Sequence, residues 1–308
     1  MKVLVTGASG YVARVTLPHL LDDDQVSTVY GLDVRPPGIE HPKFVFIERD
    51  VRSEGMEDVM CGVDVLVHMA FIVSEIKDKK KIYDINVNGT RRVLDAVKAA
   101  GIRRLVVASS VSAYGSRPRG GNAVTEETPL RANENAYYSH TKGVVEGMVD
   151  EFEKDNPGIA VARLRPSILC GKQTDNFFLD LIAQPVLVYP SCNPEGLPLV
   201  HEDDVGRAFH LATKSHASGA FNIVAGSLPF RKMGEILGRR AVGLPYGILK
   251  PVSDIGFWLG LSPVSSHWVV LGRHPFHVDC ARAEKLLGWT PQHSPEQAFR
   301  EMVAAWKK

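Results

Sequence analysis

Two glycines three residues apart, set directly behind a short apolar run, constrain this chain more than any other feature. Lys2-Val3-Leu4-Val5-Thr6 reads as a buried strand, and it breaks into Gly7-Ala8-Ser9-Gly10 before Tyr11-Val12-Ala13 opens a helix. Gly7 can adopt backbone angles closed to other residues, so the chain can reverse tightly. Gly10 has no side chain, which lets a pyrophosphate approach the backbone while the first amides of the helix face it. Ala13 stands where the usual fingerprint has a third glycine, a departure that is still small enough for close helix–strand packing. The second strand, Val29-Tyr30-Gly31-Leu32-Asp33, ends in an acid 23 residues after Gly10. A carboxylate there accepts hydrogen bonds from ribose hydroxyls and repels a 2′-phosphate, so NAD is expected in preference to NADP. Arg35, just past the strand, blurs that preference.

The bulk properties narrow the remaining choices. A chain of 308 residues, 44% hydrophobic, can bury a full core as one composite domain or two intimate ones. A formal net charge of +1 gives no electrostatic reason for a nucleic-acid partner. Cys61, Cys170, Cys192 and Cys280 are scattered without metal-ligand spacing, which fits a reduced, cytoplasmic setting. The dispersed histidines His68, His140, His201, His210 and His267 suggest no metal site, and His68 reads as a satisfied core or cofactor-adjacent histidine. The first residues read as a strand rather than a signal peptide. No apolar run is long enough to span a bilayer. The nearest is Ile255-Gly256-Phe257-Trp258-Leu259-Gly260-Leu261, expected to be buried as a pocket cap, with an exposed membrane- or partner-binding role as the alternative. Asp22-Asp23-Asp24 and Lys79-Lys80-Lys81 read as solvated surface.

Strands and helices alternate through the first half, with strands at 44–48, 63–68, 105–108 and 159–164 and long helices over 85–100 and from 138 to about 153. This predicts an α/β fold: a Rossmann-type doubly wound parallel sheet, with ligands beyond the carboxyl ends of the strands. After Arg165-Pro166 the chain becomes rich in proline and glycine. Helices are expected at 177–183, 203–213, 278–287 and 295–306, and a strand at 221–224 that returns to the main sheet. The expected division is a cofactor-binding domain over 1–165, rejoined by 201–226, and a smaller irregular C-terminal substrate lobe from 166–200 and 227–308.

Tyr138 and Lys142 lie four residues apart on one helix face. Ser109-Ser110 sits at the carboxyl end of a buried strand, where a hydroxyl reaches the same cleft. Such a set suits hydride chemistry at a carbinol or carbonyl carbon: Tyr138 exchanges the proton on oxygen, Lys142 stabilises the phenolate and holds the nicotinamide ribose, and Ser110 orients the substrate oxygen. Bringing a phenol from ~10 toward ~7 requires about 4 kcal/mol. One cation roughly 4 Å away at intermediate dielectric supplies a similar amount. Tyr137 faces about 100° away on the helix and reads as packing or pocket wall.

These segments, with His68-Met69-Ala70, Asn86-Val87-Asn88-Gly89-Thr90, Ser109-Ser110-Val111-Ser112-Ala113-Tyr114-Gly115, Glu146, Arg165-Pro166, His201-Glu202-Asp203-Asp204-Val205 and Leu287-Gly288-Trp289-Thr290-Pro291, resemble the extended short-chain dehydrogenase/reductase superfamily in order and spacing. The superfamily holds NAD-dependent epimerases, dehydratases and hydroxysteroid-type dehydrogenases. The resemblance implies catalysis by Ser110, Tyr138 and Lys142. It implies cofactor contacts from Gly7, Ser9, Gly10, Tyr11, Val12, Asp33, Asp50 (to adenine), Val51, Met69, Ala70, Asn88 (as a structural residue of the site), Ala108, Tyr138, Lys142 and Arg165. Substrate contacts would come from Phe71, Ser110, Ser112, Tyr138 and Phe177, and Tyr114 would shape the pocket. It also implies a homodimer pairing two long helices per subunit.

A secondary alcohol or ketone dehydrogenase is the preferred activity, because Arg165-Pro166 resembles the hydroxysteroid branch and Val111 follows Ser110 where a sugar dehydratase has an acid. A nucleotide-sugar 4-epimerase with internal hydride return is the alternative. Lys172, Arg207, Arg231, Lys232 and Arg273 are the cations available to clamp a diphosphate. Phe177, Phe178, Tyr189, Phe257, Trp258 and Trp268 could instead line an apolar pocket, or equally form the core that a small irregular lobe needs to fold. A non-catalytic NAD-binding protein is the remaining reading.

Overall fold

The structure is a computed structural model that describes residues 1–73, 78–116, 122–133, 136–259, 269–270 and 272–306. Gly260, Leu261, His267 and Trp268 lie outside the described residues. At its centre is a parallel sheet built from β1 (Lys2–Thr6), β2 (Thr28–Asp33), β3 (Phe44–Glu48), β4 (Val65–His68), β5 (Arg104–Ala108), β6 (Ala160–Pro166) and β10 (Gly219–Ile223). Their order is β10-β6-β5-β4-β1-β2-β3. The order reverses at β1, which pairs with β2 on one side and β4 on the other. The crevice for a ligand in such sheets opens at that reversal.

Alternation along each strand decides which face each side chain serves. Val3 and Val5 of β1 join one core with Leu17 and Leu20 of α1 (Tyr11–Leu21) and with Val205 and Phe209 of α7 (Glu202–Lys214). Leu4 between them faces the opposite core, with Val93 and Val97 of α4 (Gly89–Ala99) and Val145 and Val149 of α5 (Tyr137–Asp155). The sheet is therefore covered on both faces, which its near-continuous apolar strands require. Gly206 has no Cβ to meet the Val15 carbonyl, so α7 lies close against α1.

The long helix expected at 85–100 begins earlier. Lys79–Tyr83 (α3) runs through a π-helical turn, Asp84–Asn88, into α4. Lys79, Lys80 and Lys81 thus open a helix, and all three are exposed, as expected. Tyr137 closes against that opening, its hydroxyl donating to the Lys79 carbonyl at 2.6 Å. Asp23 is not solvated surface: its side chain is 9% exposed and takes His210 at 2.7 Å and Lys214 at 2.9 Å, tying the end of α1 to α7. The helix expected from 278 starts at Ala281, because Val278 instead bridges to Val124.

The C-terminal lobe has its own core. Phe178 and Ile182 of α6 (Phe177–Ala183), Leu187 and Tyr189 of β8 (Leu187–Pro190), Phe230 and Met233 of α8 (Phe230–Leu237), and Phe299 and Met302 of the helix Pro295–Trp306 pack together. Asp204, fully buried, fastens this end of the chain to α7. Its carboxylate accepts the Gln292 and His293 amides at 2.9 and 3.0 Å and the Arg207 guanidinium at 3.0 Å. Those donors hold its carboxyl below the usual range against the burial that raises it. His201 caps α7, accepting the Asp203 amide.

The stretch expected to be buried near residue 255 is the reverse. In α9 (Tyr246–Trp258), Ile248, Val252, Ile255, Phe257 and Trp258 are exposed, Trp258 by 84%. An apolar run specifies burial only when an opposing surface exists, and α9 keeps only Leu249 buried. Among the described residues, no helix is long and apolar enough to cross a membrane.

Candidate active site

The glycine turn is fixed by the strand beside it. Gly7 has φ +72°, and a Cβ there would sit 2.6 Å from the Ala70 amide nitrogen and 2.8 Å from the Met69 carbonyl carbon. The turn therefore rests directly on the backbone of Met69 and Ala70. Gly7→Ala combines left-handed strain with a backbone clash and should cost about 2–4 kcal/mol. Urea denaturation checks this, and Gly10→Ala, which meets only the Gly7 carbonyl at 3.2 Å, should cost less.

Gly10 is the N-cap of α1, with no side-chain cap and no acid in the first turn. The first amides of a helix lack partners within it, and this end keeps its positive pole uncompensated. Tyr11 and Val12 lie in this first turn, so an anion would be held by backbone, as a dinucleotide pyrophosphate requires. Asp33 closes β2 beside it, accepting the Ser9 amide at 3.0 Å and the Val34 amide at 2.7 Å. Ser9 also donates its hydroxyl to the Arg35 carbonyl. The residues present thus fit a dinucleotide.

Asp50 takes the Arg52 side chain in a two-point contact at 2.9 and 2.6 Å, and Arg52 reaches on to Asp84 at 2.8 Å. Val51, between Asp50 and Arg52 in sequence, is buried.

Asn88 does not hold the site. It is exposed and donates to Asp84 at 2.9 Å. The structural asparagine is Asn86, fully buried, which accepts the Ile72 amide at 2.7 Å and donates to the Ile72 carbonyl at 3.0 Å. A signal for this was present: Asn86 precedes Thr90 by four and Leu94 by eight residues, on the buried face of the helix. Thr90 donates to the Asn86 carbonyl, so His68 Nε2 donates to Thr90 while its Nδ1 accepts from Thr6 at 2.7 Å. Burial pushes His68 down to about 3, with the Lys142 charge adding to it; it is a neutral core histidine.

Ser110 leaves β5 and caps the short 3₁₀ turn Val111–Tyr114, its Oγ 2.6 Å from that of Ser112. Ser139 at the start of α5 donates to the Ser112 carbonyl at 2.7 Å, which clamps α5 onto this turn. Tyr138 is thereby set against both hydroxyls. Burial raises its pKa, and hydrogen bonding with Ser110 and Ser112 pulls the other way. The expectation that Lys142 draws the phenol downward is not what this arrangement gives. Lys142 Nζ lies 5.9 Å from the Tyr138 ring centroid and 3.5 Å from that of Phe71, and donates to the Ala108 carbonyl at 2.7 Å. Lys142 is itself 3% exposed, and burial carries it down to about 7 against the pull of Glu146.

Arg165 points into the interior. Its guanidinium forks onto Glu146 at 2.7 and 2.8 Å and donates to the Tyr114 hydroxyl at 2.6 Å. Tyr114, fully buried, donates its hydroxyl hydrogen bond to Asn222 Oδ1 at 2.8 Å. It is a core residue rather than a pocket wall. Phe177 opens α6, and Phe71 meets Tyr138 edge-on at 5.9 Å.

The chain resembles the protein designated y4nG from Sinorhizobium fredii, at 28% identity over 97% of this chain and 76% of that protein. It is 32% identical to the low-salt glycan biosynthesis protein Agl12 of Haloferax volcanii over 50% of this chain and 52% of that one. The fold matches UDP-glucuronic acid 4-epimerase of Bacillus cereus in complex with UDP-glucuronic acid and NAD, with TM-score 0.78, 20% identity, and coverage of 100% and 99% of the two chains. UDP-glucose 4-epimerase of Thermotoga maritima matches with TM-score 0.77 at 19% identity, with coverage of 100% and 99%. A model of the NAD dependent epimerase/dehydratase family matches residues 3–224, and the chain belongs to that family of NAD-dependent enzymes.

Proposed function

We propose that the chain moves a hydride between a hydroxyl-bearing carbon of a small substrate and NAD, and that it does so as a nucleotide-sugar 4-epimerase. The observation that carries the reading is Tyr138 set against the Ser110 and Ser112 hydroxyls, with buried Lys142 one helical turn on. NAD supplies the hydride acceptor when bound. Gly7, Ser9, Gly10, Tyr11 and Val12 would hold its pyrophosphate, Asp33 its adenosine ribose, and Asp50 and Val51 its adenine. The Met69, Ala70 and Ala108 backbones would wall the nicotinamide side, and Lys142 would meet the nicotinamide ribose. Ser110 orients the substrate oxygen, and Tyr138 takes or returns its proton. In this scheme residues 1–165 and 201–226 form the cofactor-binding part, 166–200 and 227–308 the substrate lobe, and α4 and α5 pair across a homodimer.

The solved relatives of the same fold that bind UDP-sugars support epimerisation. One observation favours net dehydrogenation of an uncharged alcohol instead. The five cations available to clamp a diphosphate already have protein partners: Lys172 with Glu301, Arg207 with Asp204, Arg231 with Tyr189, Lys232 with Glu235, and Arg273 over the Tyr246 ring. Incubation with NAD and UDP-glucose or UDP-glucuronic acid separates the two. An epimerase forms the 4-epimer, seen by NMR, with no net NADH. Steady NADH accumulation on a secondary alcohol, with no epimer, would replace the first reading by the second.

A further inference from the structure

Lys142 is a buried ammonium with an unusual set of neighbours. An ammonium carries three donors and is costly to strip of water. One donor goes to the Ala108 carbonyl at 2.7 Å. Among the described residues no carboxylate lies within ion-pair distance of it: Glu146, one turn along α5, is taken by the Arg165 fork. The other close group is the Phe71 ring, whose centroid is 3.5 Å from Nζ. An aromatic face attracts a cation, most strongly where water is excluded. Phe71 is held there because Asn86 clamps both the amide and the carbonyl of Ile72, the next residue.

We propose that Phe71 is a positioning residue for Lys142, its ring keeping the ammonium charged and aimed at the cleft where a carboxylate is absent. The inference rests on the reading of Lys142 as the cation of the active site, and it assigns Phe71 to the protein's own machinery before any substrate contact. The charged and titratable groups around Lys142 are His68 on β4, Tyr138 and Glu146 on α5, and Arg165 on β6 behind Glu146. His68 is neutral and Glu146 is shared with Arg165, so the ring is the neighbour whose loss is felt most directly.

The test titrates Lys142 in the full chain by trace acetylation with acetic anhydride across pH, reading the Lys142 peptide by mass spectrometry. Phe71→Leu should lower the midpoint by about one pH unit, and Phe71→Tyr, which keeps the π face, should restore it. Phe71→Met is read in the same way should the leucine variant not fold. NADH affinity, read by fluorescence, should fall roughly tenfold at pH 8 in Phe71→Leu and stay within about twofold at pH 5.5, where both proteins carry the charge. An unchanged midpoint in Phe71→Leu overturns the proposal, as does an equal drop in Phe71→Tyr. The acetylation measures no turnover. A failure of the hydride-transfer reading, seen as no reaction with any substrate, is therefore distinct from a failure of this one.

Discussion

Tyr138→Phe should lower turnover about 10³-fold, within the range that a positioned general acid or base contributes. The substitution removes one oxygen and keeps the ring that meets Phe71 edge-on. NAD affinity, read by calorimetry, should change less than twofold, because the glycine turn and Asp33 are untouched. Burial raises the phenol's pKa while Ser110 and Ser112 draw it back, so the wild-type rate should climb with pH through the alkaline range for the oxidising step. A Tyr138→Phe variant of ordinary activity would remove the phenol from the chemistry altogether.

Glu146→Ala should be the most destabilising of the single changes considered, at about 3–5 kcal/mol by urea denaturation. Glu146 is 1% exposed and shields two buried guanidiniums, Arg165 at 2.7 Å and Arg163 at 3.9 Å. Its loss strands Arg165 in the interior, whereas Arg163 retains Asp150 and Glu153. The Glu146 carboxyl is held below its usual range by Arg165 against the burial that raises it. A depressed folded value means the stabilisation is fully present above the unfolded value near ~4.3 and fades as pH falls through the folded one. The gap between wild type and Glu146→Ala should therefore be constant from pH 6 to 8 and narrow in acid. A gap that widens in acid would show the carboxyl to be destabilised by its surroundings.

The strand–turn–helix of residues 2–13 and the acid Asp33 were legible because their signals are local: glycine at a left-handed turn, and a carboxylate at a strand end. The helix Pro295–Trp306 was legible from its periodicity. Tyr138 and Lys142 share a helix face by simple spacing. What Lys142 touches was not legible, since Phe71 follows β4 and is fixed through Ile72, which Asn86 holds from farther along the chain. The assignment of Asn88 failed on helical phase: the π-helical turn Asp84–Asn88 buries Asn86 and leaves Asn88 exposed. Tyr114 and Asp23 depend on partners far along the chain, Asn222 and His210. No local pattern encodes those meetings. The apolar residues of α9 read as core because composition reports hydrophobicity and not the presence of an opposing surface.

The return of β10 to the sheet has a consequence during synthesis. β6 ends at Pro166, yet its outer neighbour is not made until Gly219–Ile223. A growing polypeptide must therefore carry an unpaired, apolar sheet edge while more than fifty further residues are translated, the situation in which chains stick to one another. Folding of this sheet cannot be finished on the ribosome before Ile223 has been translated.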